Sequence, residues 1–216
     1  MSGLRRACLY SSPPQQLGFC GPDDKKASHL LLNKIRGRKI DELKLRKVLS
    51  QFIGAFQYYQ MIAQAHQIKD PFADQVVKAY WLGNRLLDKF KEKIPHHSYH
   101  VLMIGSVTGR IKFNDQLRDL CRIGWGKVKD KPIKSGQKKL KITVDYQPVI
   151  REKGKFILGP VIKREVDWDK DYIPGLKLGQ IVSIHWNQAI EILNENEVDF
   201  LRRYTQKTLD IYGKTI

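Results

Sequence analysis

Two different hydrophobic periods share this 216-residue chain, and they limit its fold more than any single motif does. In the first half, apolar residues recur every three or four positions, the spacing of one face of an α-helix. Behind Asp41, a helix-capping residue, Leu45, Val48, Leu49, Phe52, Phe56, Tyr59, Ile62 and Ala63 form one such stripe. Asp70-Pro71 predicts a second start, with Asp as cap and Pro in the first turn, opening a helix through Val76, Val77, Tyr80, Gly83, Leu87 and Phe90. Residues 1–22 carry Pro13, Pro14, Gly18, Gly21 and Pro22, so no long helix is expected there. After Pro95 the period shortens. His100 to Ile104 reads as a short buried strand, and Asn114 to Leu120 as one or two helical turns. Then come β-rich runs at Trp125–Val128, Leu140–Tyr146, Phe156–Lys163 and Ile181–Trp186, separated by Gly, Pro and Lys clusters. Short strands at that spacing predict a small closed or half-closed β-barrel. Asn194 and Glu197 have the spacing of a capping box, and Val198, Leu201, Tyr204, Thr205, Leu209 and Tyr212 continue one helical face behind them.

The formal net charge is +17, from 39 Lys and Arg against 22 Asp and Glu. Both halves share it, +10 over residues 1–110 and +7 over 111–216, so the charge belongs to folded surfaces and not to a basic tail. It implies an acidic partner, either nucleic acid or an acidic protein face. No run of about 18 apolar residues exists, so no membrane insertion is expected. The N-terminus lacks the apolar core of a secretory signal. Three cysteines, Cys8, Cys20 and Cys121, are too few and too odd in number for a disulfide framework, which points to a reducing, cytoplasmic setting.

Several familiar chemistries are excluded by pattern. The chain has no phosphate-binding loop, no dinucleotide fingerprint, no Gly-x-Ser-x-Gly elbow, no H-E-x-x-H helix and no C-x-x-C pair. Asp167 and Asp169 flank Trp168, but paired carboxylates at a polar strand end are usually only solvated. His96, His97 and His100 gather half of the chain's six histidines next to Pro95. Cys20 lies in the turn Gly18-Phe19-Cys20-Gly21-Pro22, where backbone amides could lower a thiol pKa. The most informative constellation is Cys121, just before the first barrel strand, with His185, at the end of the last. In a small barrel those two ends can lie side by side, and a thiolate with an imidazole suits iron or another late transition metal.

A resemblance sharpens this pair. Cys121-Arg122-Ile123-Gly124-Trp125-Gly126-Lys127-Val128 resembles the start of hydrogenase assembly chaperones of the HypC/HupF type, in which a Cys is followed five residues later by Gly-Lys-Val. The stretch from Gly179 through Val182, His185, Ala189 and Ile190 to Leu193 is similar to their second signature, a turn and Val-rich strand ending in His, then an Ala-Ile helix start. The periods give an α+β chain with an N-terminal helical domain over 1–119, which has no counterpart in those chaperones, and the resemblance, over roughly residues 120–212, implies that 120–216 is a small OB-like β-barrel with a C-terminal helix. It implies a metal-centre maturation protein, not an enzyme. Its cargo would be iron, as an Fe(CN)2CO unit, held by Cys121 and His185, with Cys20, His97 and His100 as additional candidate ligands. Its partner would be an acidic protein client, a hydrogenase large subunit or an iron-scaffold protein. The chain departs from that pattern in having an internal cysteine, Gln180 after Gly179, and Asn187 where those chaperones have Gly. Separately, Leu17 to Pro22, Ala79 to Asn84 and His96 to His100 resemble an uncharacterised bacterial protein family that spans the full length.

The competing expectation is a nucleic-acid-binding module. It rests on Lys127, Lys129, Lys131, Lys134, Lys138, Lys139 and Lys141 near Trp125 and Tyr146, since basic grooves with exposed aromatics bind single strands. A third, an enzyme built on His96–His100 with Cys20, names no substrate.

Overall fold

The structure, a computed structural model, describes residues 1–130, 133–135 and 139–213, with only the backbone of 133–135 and 139. It has an α+β architecture in two compact units, Met1–Lys112 and Phe113–Ile216. No helix among the described residues is long and apolar enough to cross a membrane.

The first unit is helical: α1 (Gly3–Gln16), α2 (Lys25–Ile35), α3 (Glu42–Leu49), α4 (Ile53–Ala65), α5 (Asp74–Leu82) and the short α6 (His97–Tyr99). Four of the expectations need correction here. The proline-rich start is not irregular but forms the 14-residue α1, capped by Ser2, with Pro13 and Pro14 inside it. Both prolines fall in the last turn. There the missing N–H groups forfeit bonds only to the turn before, and burial of Leu4, Ala7, Cys8, Leu9 and Tyr10 outweighs the loss. The stripe from Leu45 to Ala63 is two helices, broken at residues 50–52. The Asp70 carboxylate does cap, but it caps a turn, accepting from the Phe72 amide (2.9 Å) and from Arg46, and α5 starts four residues later. That helix ends at Gly83, whose φ of 85° a side chain would resist, and Arg85–Lys89 form a 3-10 turn instead of continuing it. Finally, His100–Ile104 is one π-helical turn and not a strand. A run of four apolar residues, Val101 to Ile104, does not distinguish strand from buried helix.

The second unit opens with α7 (Asp115–Cys121), capped by Asn114, and continues with β1 (Gly124–Val128), β2 (Ile133–Ser135), β3 (Lys139–Tyr146), β4 (Val149–Glu152), β5 (Lys155–Leu158), β6 (Ile162–Trp168), β7 (Ile181–His185), β8 (Gln188–Leu193) and α8 (Glu195–Tyr212). α7 therefore groups with the strands. Among the described residues the main sheet runs β1-β7-β8-β6-β3-β2, and β1 pairs again with β3 through Gly126↔Tyr146 to Val128↔Val144. All these pairings are antiparallel except β6–β8, which meet in parallel at Asp167↔Gln188. β4 and β5 form a separate ribbon. The run Phe156–Lys163 is thus two strands belonging to two sheets. The Ala189-Ile190 helix start is strand β8, in agreement with its β-branched residues. The capping box at Asn194 and Glu197 is present, and α8 buries Val198, Leu201, Tyr204, Thr205, Thr208 and Leu209 at helical spacing.

Candidate metal centre

Cys121 is the last residue of α7, and His185 is the last residue of β7. Both are buried, with 6 % and 1 % of their surface exposed. A ring nitrogen of His185 and the Cys121 Sγ lie within 4.8 Å of each other. The backbone explains why. The Trp186 amide, next after His185, donates to the Leu120 carbonyl, just before Cys121, at 2.8 Å. That bond pins the end of β7 to the end of α7 and sets the two side chains on the same spot. Thiolate–metal and imidazole–metal bonds of about 2.3 and 2.0–2.1 Å span such a gap with a small rotamer adjustment. A donor set of one soft sulfur and one imidazole fits a late transition metal.

The turn beyond His185 has two residues, Trp186 (φ 50°) and Asn187 (φ 60°), and joins β7 to β8. Positive φ at both central positions matches the twist of a tight hairpin, and Asn is well suited to it. A bulky residue such as Trp is not, and the strain costs about 1–3 kcal/mol. The Trp186 ring is half-buried, its centroid 6.4 Å from that of His185.

Two residues before the cysteine, Asp119 anchors α7. Its Oδ1 accepts from Tyr146 Oη (2.9 Å), the Val149 amide (2.8 Å) and Arg122 Nε (3.0 Å), and its Oδ2 accepts from Arg164 Nη1 (3.0 Å). Arg122 is fully buried and also donates to Tyr146 Oη and to the carbonyls of Ile123 and Gln147. Burial, more than the balance of nearby charges, drives the Tyr146 pKa upward, so its hydroxyl stays protonated as a donor. Gly124 makes room for this network: a Cβ there would stand 2.4 Å from the Tyr146 ring. Sequence reasoning missed Asp119 and Arg164, met Arg122 only inside a motif, and offered Tyr146 only as a base-stacking aromatic. The available signal was Gly124 and Gly126 inside a strand, which marks a close approach.

The remaining candidates belong to the helical unit. Cys20 follows α1, but the Phe19 and Cys20 amides both donate to the Pro14 carbonyl and do not form a nest for the thiol. Burial raises its pKa, only partly offset by Arg110, so the expected activation is reversed. His97 and His100 each bring Nδ1 to 2.9 Å from the Tyr80 hydroxyl, which also reaches the Gly54 carbonyl at 3.3 Å. One hydroxyl proton cannot serve three acceptors, so at least one neutral imidazole donates Nδ1–H and carries its lone pair on Nε2. The His100 pKa is pushed down to about 4 by burial, and that of His96, whose Nδ1 accepts from the Ser98 amide, to about 3. The two histidines thus meet around Tyr80, which the sequence offered as a residue of a helical stripe and of the Ala79–Asn84 stretch but not as their partner. Asp169, offered as half of an acid–base pair, caps a turn through the Asp171 amide (2.8 Å).

The aromatic half of the nucleic-acid expectation is corrected. Trp125 and Tyr146 are buried, at 6 % and 1 % exposure, and cannot stack on bases. Lys129 and Lys141 pair with Asp145 and Glu165, each at 3.1 Å. Lys131, Lys138 and the side chains of Lys134 and Lys139 lie outside the described residues.

No curated protein and no solved structure matches the chain. A family model does match, over residues 1–94 and 87–216, which together cover the whole length. The chain therefore belongs to the family of unknown function DUF6390.

Proposed function

We propose that the second unit is a metal-carrier module for the maturation of a metal centre, with Cys121 and His185 as its ligands. The observation that carries this reading is their buried approach within 4.8 Å, held by the Leu120–Trp186 backbone bond. The same reading takes the β1-β7-β8-β6-β3 order, rejoined by β1–β3 pairing, as an OB-like barrel. The cargo would be iron, either bare or as Fe(CN)2CO. A thiolate is a soft donor that can hand such a unit on by ligand exchange, while His185 steadies it. The +17 charge would then dock an acidic protein client, of which a hydrogenase large subunit is the type suggested by the motif resemblance.

Anaerobic loading with ferrous iron, followed by metal analysis of the desalted protein, tests the ligand pair. Wild type is expected to retain iron, and Cys121→Ala and His185→Ala to lose most of it. Equal iron in all three overturns the reading. Cys20→Ala, His97→Ala and His100→Ala in the same series ask whether the helical unit supplies a further ligand. Nucleic-acid binding is less favoured, because its two aromatics are buried and two of its lysines are paired. Measurable oligonucleotide affinity at low salt, falling steeply as salt rises, would restore it.

A further inference from the structure

The geometry points to Trp186 as the residue that controls exchange of metal at the Cys121–His185 pair, a role that rests on the carrier reading above. Both ligands are buried, so an ion held between them is shielded on most sides and must leave past a neighbouring group. Trp186 is such a neighbour. It follows His185 directly, its ring lies beside the imidazole at 6.4 Å between centroids, and the residue is partly buried, with its indole nitrogen shut off from solvent.

The backbone gives an independent argument. A two-residue hairpin with positive φ at both positions favours Asn, Asp or Gly. Asn187 follows that rule and Trp186 breaks it, at φ 50°. The turn gains nothing from an indole, and its backbone would be more relaxed without one. What the indole supplies is therefore made by its side chain, and the His185 ring is one of its neighbours. The turn is also fixed: the Trp186 amide is bonded to the Leu120 carbonyl at 2.8 Å. Moving the hairpin to uncover the pair would break the tie that brings Cys121 and His185 together. Displacement of the indole, by contrast, would open the site while leaving both ligands in place. A carrier needs this behaviour, since its cargo must be kept from water and chelators yet be released by ligand exchange. The apolar shell around a metal site sets solvent access in this way.

The test uses the full chain loaded anaerobically with cobalt(II), whose thiolate charge-transfer band reports Cys121 ligation. The decay of that band after excess EDTA is compared among wild type, Trp186→Gly, Trp186→Asn and Trp186→Phe, with Cys121→Ala as the blank. Gly and Asn both suit a positive φ, so each relieves the turn while removing the ring, and if one of them folds poorly the other gives the comparison. Stripping is expected to be about tenfold faster or more in the Gly and Asn variants, within the range seen when the shell of a metal site is cut, with an unchanged cobalt spectrum. The Phe variant is expected to stay near wild type. Equal stripping rates in wild type, Gly and Asn overturn the proposal and leave the carrier reading intact, even if their thermal stability differs. Absence of a Cys121-dependent band in wild type overturns the carrier reading and this proposal with it.

Discussion

Replacing Asp119 with Ala is expected to be among the most damaging single substitutions in the second unit, and its effect can be worked from the contacts. The carboxylate accepts from a backbone amide, a tyrosine hydroxyl and two guanidinium groups. Arg122 is fully buried and Arg164 only 20 % exposed in its side chain, so water cannot replace the lost partner at Arg122. Breaking a buried ion pair by removing one member costs about 3–5 kcal/mol, because the other charge stays buried and uncompensated. The Val149 amide and Tyr146 hydroxyl lose a partner as well, at about 1–3 kcal/mol for each buried group that finds no substitute. These terms overlap, and a total near 5 kcal/mol is expected, comparable with the whole stability of a small domain at about 5–15 kcal/mol. For a unit of this size each kcal/mol lowers the midpoint by about 4–8 °C, so Asp119→Ala should lose about 20 °C or more. The assay is thermal unfolding of the full chain, with near-ultraviolet dichroism to report the packing of its buried aromatics, Trp125 and Tyr146 among them. Asp119→Asn, which keeps the shape and some acceptors but removes the charge, should lie between. Asp119→Ala with Arg122→Met should recover part of the loss, because it removes the orphaned charge. A midpoint for Asp119→Ala within about 2 °C of wild type, well under the smallest loss this network allows, would refute the reasoning.

The helical unit should be sensitive to acid. Burial holds His96 and His100 neutral, with pKa values of about 3 and about 4 against 6.5 in the unfolded chain, so the folded state resists protons that the unfolded state binds. Stability from these groups is full above about pH 6.5 and falls as pH drops towards 4, at about 1.4 kcal/mol per pH unit for each, or about 5 kcal/mol for both by pH 4.5. Urea midpoints measured from pH 7.5 to 4.5 check this, and a flat profile would contradict it. Gly54→Ala should also weaken this unit, by about 1–3 kcal/mol, because the added Cβ would stand 2.4 Å from His100 Cε1 and force the ring off Tyr80. An unchanged denaturation midpoint for that variant would show that the ring has room to move.

The parts of the fold that were legible in the sequence are those where local chemistry and tertiary packing agree. α8 is the clearest case: Asn194 and Glu197 form the box, and the stripe behind them is buried as spaced. The α-then-β order followed from the change of period alone. Legibility failed where packing overrode a local rule. Pro13 and Pro14 are breakers by propensity, but α1 is so buried that the helix runs through them. His100–Ile104 has a strand's composition, but the chain there follows α6 and turns as a helix around Tyr80. The candidate site divides in the same way. Cys121 and His185 could be offered as a pair because the motif resemblance puts one just before the first expected strand and the other at the end of the last. The features that make the pair physically definite could not be read, because each is a relation between distant positions. The Leu120–Trp186 bond is backbone to backbone and leaves no mark on residue type. The Asp119 hub joins residues 119, 122, 146, 149 and 164, spread across a helix and three strands or their flanks, and only the glycines beside it hint at the crowding. Trp186 was in view throughout as one residue of a motif. Its significance lies in a backbone angle, since a tryptophan at positive φ is an anomaly only once the turn is known to be two residues long. The same logic makes the site separable by experiment. Asp119 should govern whether the unit folds, Cys121 and His185 whether metal binds, and Trp186 how fast it leaves, so the three classes of variant should fail in three different assays.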